Sequence, residues 1–468
     1  MRFTRRTFIK TSAAAILGSA AGIRHAGAAE SSTRPNVLLI MTDQQFAGAM
    51  SCAGNQDVRT PALDSLAANG TRFTNAYCTN PVCVPSRVSM FNGRMPHEMG
   101  VYKNIRPHPA VRNFPMLGRT LRDGGYDTGY VGKWHLLATE KEKDIHGFDY
   151  ISLRKDPNTA DECSAFLRQK RDKPFFLVAS FIDPHDICQW ARGEKLPNGP
   201  IEDPPAPEQC PDLPPNHAIP DNEPDVIRKV QAEYRESTYP TADWTPGKWR
   251  QYRWAYYRMI EFVDRRIGEV LDALRSAGQE ENTVVVFVSD HGDGTGAHMW
   301  NQKQVLYEET TRVPLIIAQK GQSRPGVIER TQLVSTGLDV FPTVCDYAGV
   351  TPPPGLKGHS LRTLVENGQE KALREYVVTE TEFGEFSNTP PFQHTGPMGR
   401  MVRTAKHKYV VYSEGTLREQ LFDLEHDPGE MQNLAVSPEA GDVVNAHRRM
   451  LQDWAAETKD DFPRIAPA

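Results

Sequence analysis

Apolar residues fall into two patterns along this chain. Short continuous runs rich in branched residues, NVLLIM (36–41), PFFLVASF (174–181), NTVVVFVSD (282–290) and VPLIIAQ (313–319), read as strands buried on both faces. Between them the spacing turns helical. TPALDSLAANG (60–70) carries a Thr cap, Pro in its first turn and a closing Gly, and residues 247–278 form a long amphipathic helix. MLGRTLRDGGYDTGYVGKWH (116–135) reads helix, glycine turn, strand and loop. Strands alternating with helices predict an α/β fold, a central and mostly parallel sheet flanked by helices. After the Pro/Gly loop TPPPGLKG (351–358) the pattern changes. REYVVTE, GRMVRTAKHKYVVYS and EQLFDLEHDP read as short antiparallel strands, and residues 443–460 as a closing helix. The expected organisation is a leader over 1–29, a main domain over 30–345, and a smaller C-terminal antiparallel-sheet subdomain over 346–468. Residues 187–246 form a proline-rich insertion in the main domain. It is either structural or a lid beside the site, since long ordered loops often carry function.

The leader sets the chemical setting. Thr4-Arg5-Arg6-Thr7-Phe8-Ile9-Lys10 is a twin-arginine pattern, followed by a small-residue apolar stretch and an Ala26-Gly27-Ala28 cleavage site. The apolar run is shorter than the roughly 20 residues that a bilayer span needs, and no later run is long enough, so no stable span is expected after cleavage. The expectation is export by the twin-arginine machinery to the periplasm or beyond, after folding in a reducing compartment. Residues 1–29 hold Arg2, Arg5, Arg6, Lys10 and Arg24 and no acid, so their removal takes the formal charge from −5 to −10. Such an acidic chain is a poor nucleic-acid binder. Its seven cysteines are an odd number and contain no CxxC, which excludes the usual zinc and thioredoxin patterns and leaves at least one outside any intramolecular disulfide.

Polar residues gather where the strands end. The first run ends in Thr42-Asp43-Gln44, another in Gly132-Lys133-Trp134-His135, a third in Asp183-Pro184-His185-Asp186, and a fourth in Asp290-His291-Gly292, with His298 and Lys303 close behind. In such sheets ligands sit beyond the carboxyl ends of the strands. Each residue alone has a structural explanation, but four strand ends delivering carboxylates, histidines and lysines to one edge point to a site. A single cysteine, Cys83, stands in NPVCVPSRVSMFNGR. On residue type alone it is a nucleophile, a disulfide partner or a buried structural thiol. Pro85 suits the first turn of a helix, whose free N–H groups would face an anion, and Arg87 follows within that turn.

CVPSRVSMFNGR (83–94) resembles the sulfatase signature C-x-P-S-R, and GKWH, SFIDPHD, SDHGDGTGAHMWNQK, LYEETTRVPLII, TGLDVFPTVCDYAGV, GHSL and LFDLEHDPGEMQNLA resemble further blocks of that family in order. The resemblance covers nearly all of residues 35–435 and implies an alkaline-phosphatase-like fold and hydrolysis of sulfate esters or sulfamates. It implies that Cys83 is oxidised by a maturation enzyme to formylglycine, whose hydrate attacks sulfur and then releases sulfate by expelling it from the same carbon. It implies one Ca²⁺ per chain, held by Asp43, Gln44, Asp290, His291 and the oxygen at position 83, oxygen ligands being suited to a hard ion; Mg²⁺ or Mn²⁺ rank behind. Two positions depart from the common pattern: Gln44 stands where many members have Asp, and His291 where many have Asn. By the same resemblance Arg87 and Lys133 hold charged oxygens, His135 is the base of the release step, and His185 and Lys303 bind sulfate and assist the leaving group. His298 either assists the leaving group, touches substrate or packs. Trp190, Arg192, Lys103, Arg106 and His394 are further positions where a sulfated sugar could be held. Three functions follow: an exported sulfatase acting on sulfated carbohydrate, a formylglycine-dependent phosphonate or phosphate monoester hydrolase, and an unconverted carbohydrate-binding relative.

Overall fold

The computed structural model describes residues 34–104, 112–368, 371–384 and 396–462. The twin-arginine leader, Arg106 and His394 lie outside them. The main sheet has eight strands, in the order Tyr150–Ser152, Asp127–Gly132, Phe175–Pro184, Asn36–Asp43, Thr283–Ser289, Leu315–Gln319, Thr71–Phe73 and Val327–Glu329. The first five run parallel to one another; Leu315–Gln319 then runs antiparallel to Thr283–Ser289. The sheet is therefore the mostly parallel one that the sequence predicts.

The continuous apolar runs are explained by cover on both faces. Val37, Leu39 and Met41 of the central strand point into one core, where they meet Val84, Val88 and Phe91 of the helix Cys83–Asn92 and Val340 and Phe341 of the helix Thr336–Ala348. Leu38 and Ile40 point into the other, against Phe166 and against Val263 and Ile267 of the long helix Pro246–Ser276. Successive strand residues face opposite sides, so a strand covered on both is apolar at every position. The first two helices touch at Gly337: a Cβ there would lie 2.3 Å from Ser89 Oγ and 2.5 Å from Thr79 Oγ1. This close contact fixes the helix that begins at Cys83.

The insertion is wound onto the protein rather than hanging from it. Ile187, Trp190, Leu196, Ile201, Leu213 and Trp244 pack on Trp249, Tyr252 and Tyr256 of the long helix. The helix Asp225–Glu236 buries Val226, Ile227 and Val230 with Tyr412 and Phe422 of the C-terminal sheet. That sheet is four antiparallel strands in the order Tyr376–Glu382, Met398–Thr404, His407–Tyr412, Glu419–Asp423, covered on its other face by the helix Gly441–Thr458. The helix Thr336–Ala348 spans the boundary expected near residue 346. All seven cysteines are free.

Two buried charge networks tie the sheet to the main domain. Lys408 Nζ lies 2.7 Å from Glu430 and 3.4 Å from Glu308. His97 Nδ1 pairs with Glu380 at 2.8 Å, while Arg400 lies 3.8 Å from Glu380 and 2.7 Å from Asp460. Burial works against charge on His97, but Glu380 and Asp460 outweigh it and the nearby Arg400, raising it to about 9. Its folded value lies above the ordinary histidine value of about 6.5, so the stabilisation is complete below about 6.5 and is lost as pH rises through about 9. Replacing His97 by Phe is expected to cost on the order of 2 kcal/mol near pH 6.5 and much less near pH 10. Chemical denaturation of both proteins across that range checks this, and a difference independent of pH would refute the ion pair.

Candidate active site

The site lies where parallel strands end. Asn36–Asp43 and Thr283–Ser289 are paired up to Thr42 and Ser289, which sets Asp43 and Asp290 side by side. Both carboxylates are fully buried. Arg87, also fully buried, reaches across from the first turns of the helix Cys83–Asn92: its Nε donates to Asp290 Oδ2 at 2.7 Å, one terminal nitrogen to Asp43 Oδ2 at 3.2 Å, and the other to Ser180 Oγ at 2.7 Å. Ser86 Oγ donates to the Asp290 carbonyl, locking the helix to the strand end. Ser180 was missed in the sequence, although a hydroxyl inside the apolar run FFLVASF was a signal for it.

Cys83 is the first residue of that helix and fully buried. Its Sγ lies 3.1 Å from Lys303 Nζ, 3.2 Å from His291 Nε2, 3.7 Å from Asp43 Oδ1 and 3.8 Å from Lys133 Nζ. Lys133 Nζ also donates to Asp43. The imidazoles of His135 and His185 interact with the same sulfur. The structure thus gathers Cys83, Lys133, His135, His185, Lys303, Asp43, Asp290 and His291 around one atom.

The charges there compete. Burial drives the Cys83 thiol up, but Lys133, Lys303, His291 and a hydrogen bond from His135 hold it well below its ordinary value. Burial and Cys83 push Asp43 up, and Lys133, His185 and Arg87 overcome them to hold it low. Burial and the adjacent Asp43 push Asp290 up. Burial, Lys303 and Lys133 bring His185 down to about 4, and burial and Lys133 lower His135, whose buried Nδ1 has no partner. Burial opposes charge on Lys303, yet Cys83, Cys188 and Asp43 raise it, so it stays protonated. A pocket with this balance favours an anion at position 83 and at anything bound beside it.

Asp43, Cys83, Asp290 and His291 also bring four donor atoms within 4.8 Å of one another. His291 Nδ1 donates to the Gly292 carbonyl at 2.9 Å, which leaves Nε2 facing the two carboxylates at 3.7 and 3.9 Å. A ring oriented this way by its second nitrogen is the usual arrangement of a metal-binding imidazole. Two buried carboxylates that repel each other despite Arg87 fit a divalent cation, and their oxygens suit a hard one. Gln44 adjoins the cluster through its backbone, which donates to Asp290 Oδ1 at 3.1 Å. Its carboxamide turns elsewhere: Nε2 donates to Asp293 Oδ2 at 2.7 Å and Oε1 accepts from Cys188 at 3.6 Å. Asp293, pushed up to about 6 by burial, also accepts from Tyr252, and Tyr256 donates to the Gln44 carbonyl at 2.6 Å. Gln44 has φ 70° and His135 φ 41°, backbone strain held at the two strand ends that deliver them. Asp293, Tyr252 and Tyr256 carried no motif that sequence reasoning could use.

Other candidates are occupied elsewhere. The His298 ring stacks on Tyr307 at 3.7 Å. Lys103 pairs with Glu382 at 2.9 Å, Arg192 with Glu194 at 2.8 Å, and Lys248 sits 4.1 Å over the Trp190 ring.

Residues 35–350 match the Sulfatase family model, and residues 296–457 match that of the C-terminal region of N-sulphoglucosamine sulphohydrolase. The chain is 31% identical to a Delta 4,5-hexuronate-2-O-sulfatase of Bacteroides thetaiotaomicron, over 93% of this chain and 92% of that protein. It is 29% identical to an ulvan-active sulfatase of Formosa agariphila, over 92% and 83%. The solved structure of a 2-O GAG sulfatase superposes with a TM-score of 0.82 at 30% identity, covering 92% of this chain and 93% of that one. A phosphonate monoester hydrolase of Agrobacterium radiobacter shares the fold, with a TM-score of 0.74 at 22% identity over 91% and 96%. With the signature cysteine, the lysines and the paired carboxylates converging as they do, the chain belongs to the sulfatase family and is a sulfuric ester hydrolase.

Proposed function

We propose that this sulfatase is exported by the twin-arginine route and removes sulfate from sulfated carbohydrate, using formylglycine made from Cys83 and a divalent cation, Ca²⁺ by its donor set. The observation that carries the reading is the convergence of Lys303, Lys133, His291 and Asp43 within 3.8 Å of Cys83 Sγ. A thiol needs neither two lysines nor a carboxylate cluster, whereas an oxygen nucleophile attacking an anionic ester needs both. The relatives' names, a hexuronate sulfatase and an ulvan-active sulfatase among them, support a sugar substrate.

Formylglycine would supply a hydrated aldehyde as nucleophile, and the cation would supply charge that polarises the sulfate. Asp43, Asp290 and His291 would hold that cation together with the oxygen at position 83. The protein's own groups do the rest. Arg87 fixes the two carboxylates. Lys133 and Lys303 face the sulfate oxygens and offset their charge. Lys303 carries a proton that it can give to the leaving alcohol. His185 is neutral beside two lysines, and a bound sulfate between them favours its protonation. His135, with Nδ1 unpartnered, can accept a proton in the release step.

The conversion of Cys83 is read directly by mass. In protein from its native host, the tryptic peptide containing Cys83 is expected to be lighter by roughly 18 Da, sulfur having been replaced by oxygen with loss of hydrogen. Unmodified peptide alone, with no activity after treatment by a maturation enzyme, would move the chain to the unconverted binding reading. For the cation, chelated protein is expected to melt several degrees lower, with Ca²⁺ restoring both melting temperature and turnover. Replacing both Asp43 and Asp290 by Asn is expected to abolish the calcium-dependent melting shift. A shift that survives in that variant would place the ion elsewhere.

A further inference from the structure

A cleft of about 440 Å³ opens beside Lys303, a size suited to a small ligand. Its floor is Val82 and Lys303, the residue before Cys83 and the lysine 3.1 Å from its sulfur. Most of its wall comes from one stretch of the insertion, the last turn of the helix Asp225–Glu236 and the turn after it, through Glu233, Tyr234, Thr238 and Tyr239. Because Lys303 lines it, this cleft offers space to an alcohol leaving from sulfur held beside that lysine.

The wall is pre-formed. Val226, Ile227 and Val230 seat the helix on the core shared with the C-terminal sheet. Tyr239 N–H donates to the Tyr234 carbonyl at 2.8 Å, Ser237 Oγ to the Glu233 carbonyl at 2.7 Å, and Tyr234 OH to Gln304 Oε1 at 2.7 Å. The rings of Tyr234 and Tyr239 lie edge to face at 5.8 Å, and Tyr234 also meets Trp300 at 6.1 Å. Tyr239 lines the cleft beside Lys303, which is near enough to act on its hydroxyl. Glu233 is exposed to the cleft and is in no ion pair among the described residues.

These features select a chemistry. Two tyrosines give a ring a flat apolar surface with hydroxyls at its edge. A free carboxylate accepts hydrogen bonds from vicinal hydroxyls or an ammonium group, and repels another carboxylate. We propose that Glu233, Tyr234 and Tyr239 form the subsite for the leaving alcohol, and that Glu233 makes it select a sugar ring bearing hydroxyl or amino substituents over a uronate. This rests on the sulfatase reading above and narrows its substrate.

The test uses full-length protein whose conversion at position 83 has been verified by mass. The substrates are matched methyl glucosides and methyl glucuronides carrying one sulfate at the same carbon, together with 4-methylumbelliferyl sulfate. Each sugar pair then differs only in CH₂OH against carboxylate. The wild type is expected to favour the glucoside by about tenfold in kcat/KM. Glu233→Gln should narrow that ratio several-fold, mainly through KM for the glucuronide, and Glu233→Lys should invert it. Tyr239→Ala should lower kcat/KM for both sugars more than for the aryl sulfate, and Tyr239→Phe should lose part of that. A wild-type preference for the glucuronide, or a ratio unmoved by both Glu233 variants, overturns the proposal while leaving the sulfatase reading intact. Converted protein inactive on every sulfate ester overturns that reading and the subsite with it.

Discussion

Everything at this site depends on two carboxylates being buried side by side. Asp43 and Asp290 end adjacent strands, so sheet register alone forces them together, away from water. Buried like charges are stable only if countered, and removing one partner of such a set is severely destabilising. Arg87 is the fixed counter-charge, and it also restricts where its own helix can lie. That helix starts at Cys83, so the requirement for charge balance also positions Cys83. Lys133, His135 and His185 then arrive just beyond two other strand ends, while His291 and Lys303 follow Asp290 along the chain.

The rest of the chain holds that arrangement still. Gly337 lets a second helix press on the first, and Lys408 and Arg400 carry buried charge between the C-terminal sheet and the main domain. The insertion reaches from the long helix to the C-terminal sheet and walls the cleft beside Lys303 on the way. The buried charged cluster sits at strand ends and a helix start, while most of the wall of the cleft beside Lys303 sits on the insertion. A family can keep one chemistry and change substrates when the two are carried by separate pieces of chain.

What the sequence determined by itself was everything governed by local pattern. Runs such as NVLLIM and NTVVVFVSD are apolar throughout because both faces are covered, and that alone marked the central strands. Strand ends in an α/β sheet point to one edge, so Asp43, Lys133, His185 and Asp290 were recognisable as neighbours. The C-x-P-S-R signature singled out Cys83, for which residue type alone left three readings open. Only the tertiary structure decided the rest, because it depends on contacts between residues far apart in the chain. It turned the Gln44 carboxamide toward Asp293 and Cys188, stacked His298 on Tyr307, and assigned Lys103 and Arg192 to ion pairs. It also brought Glu233 and Tyr239 over Lys303, some 65 residues along the chain. Periodicity records which face of an element is buried; which distant side chain it meets there is set by packing, and no local pattern encodes it.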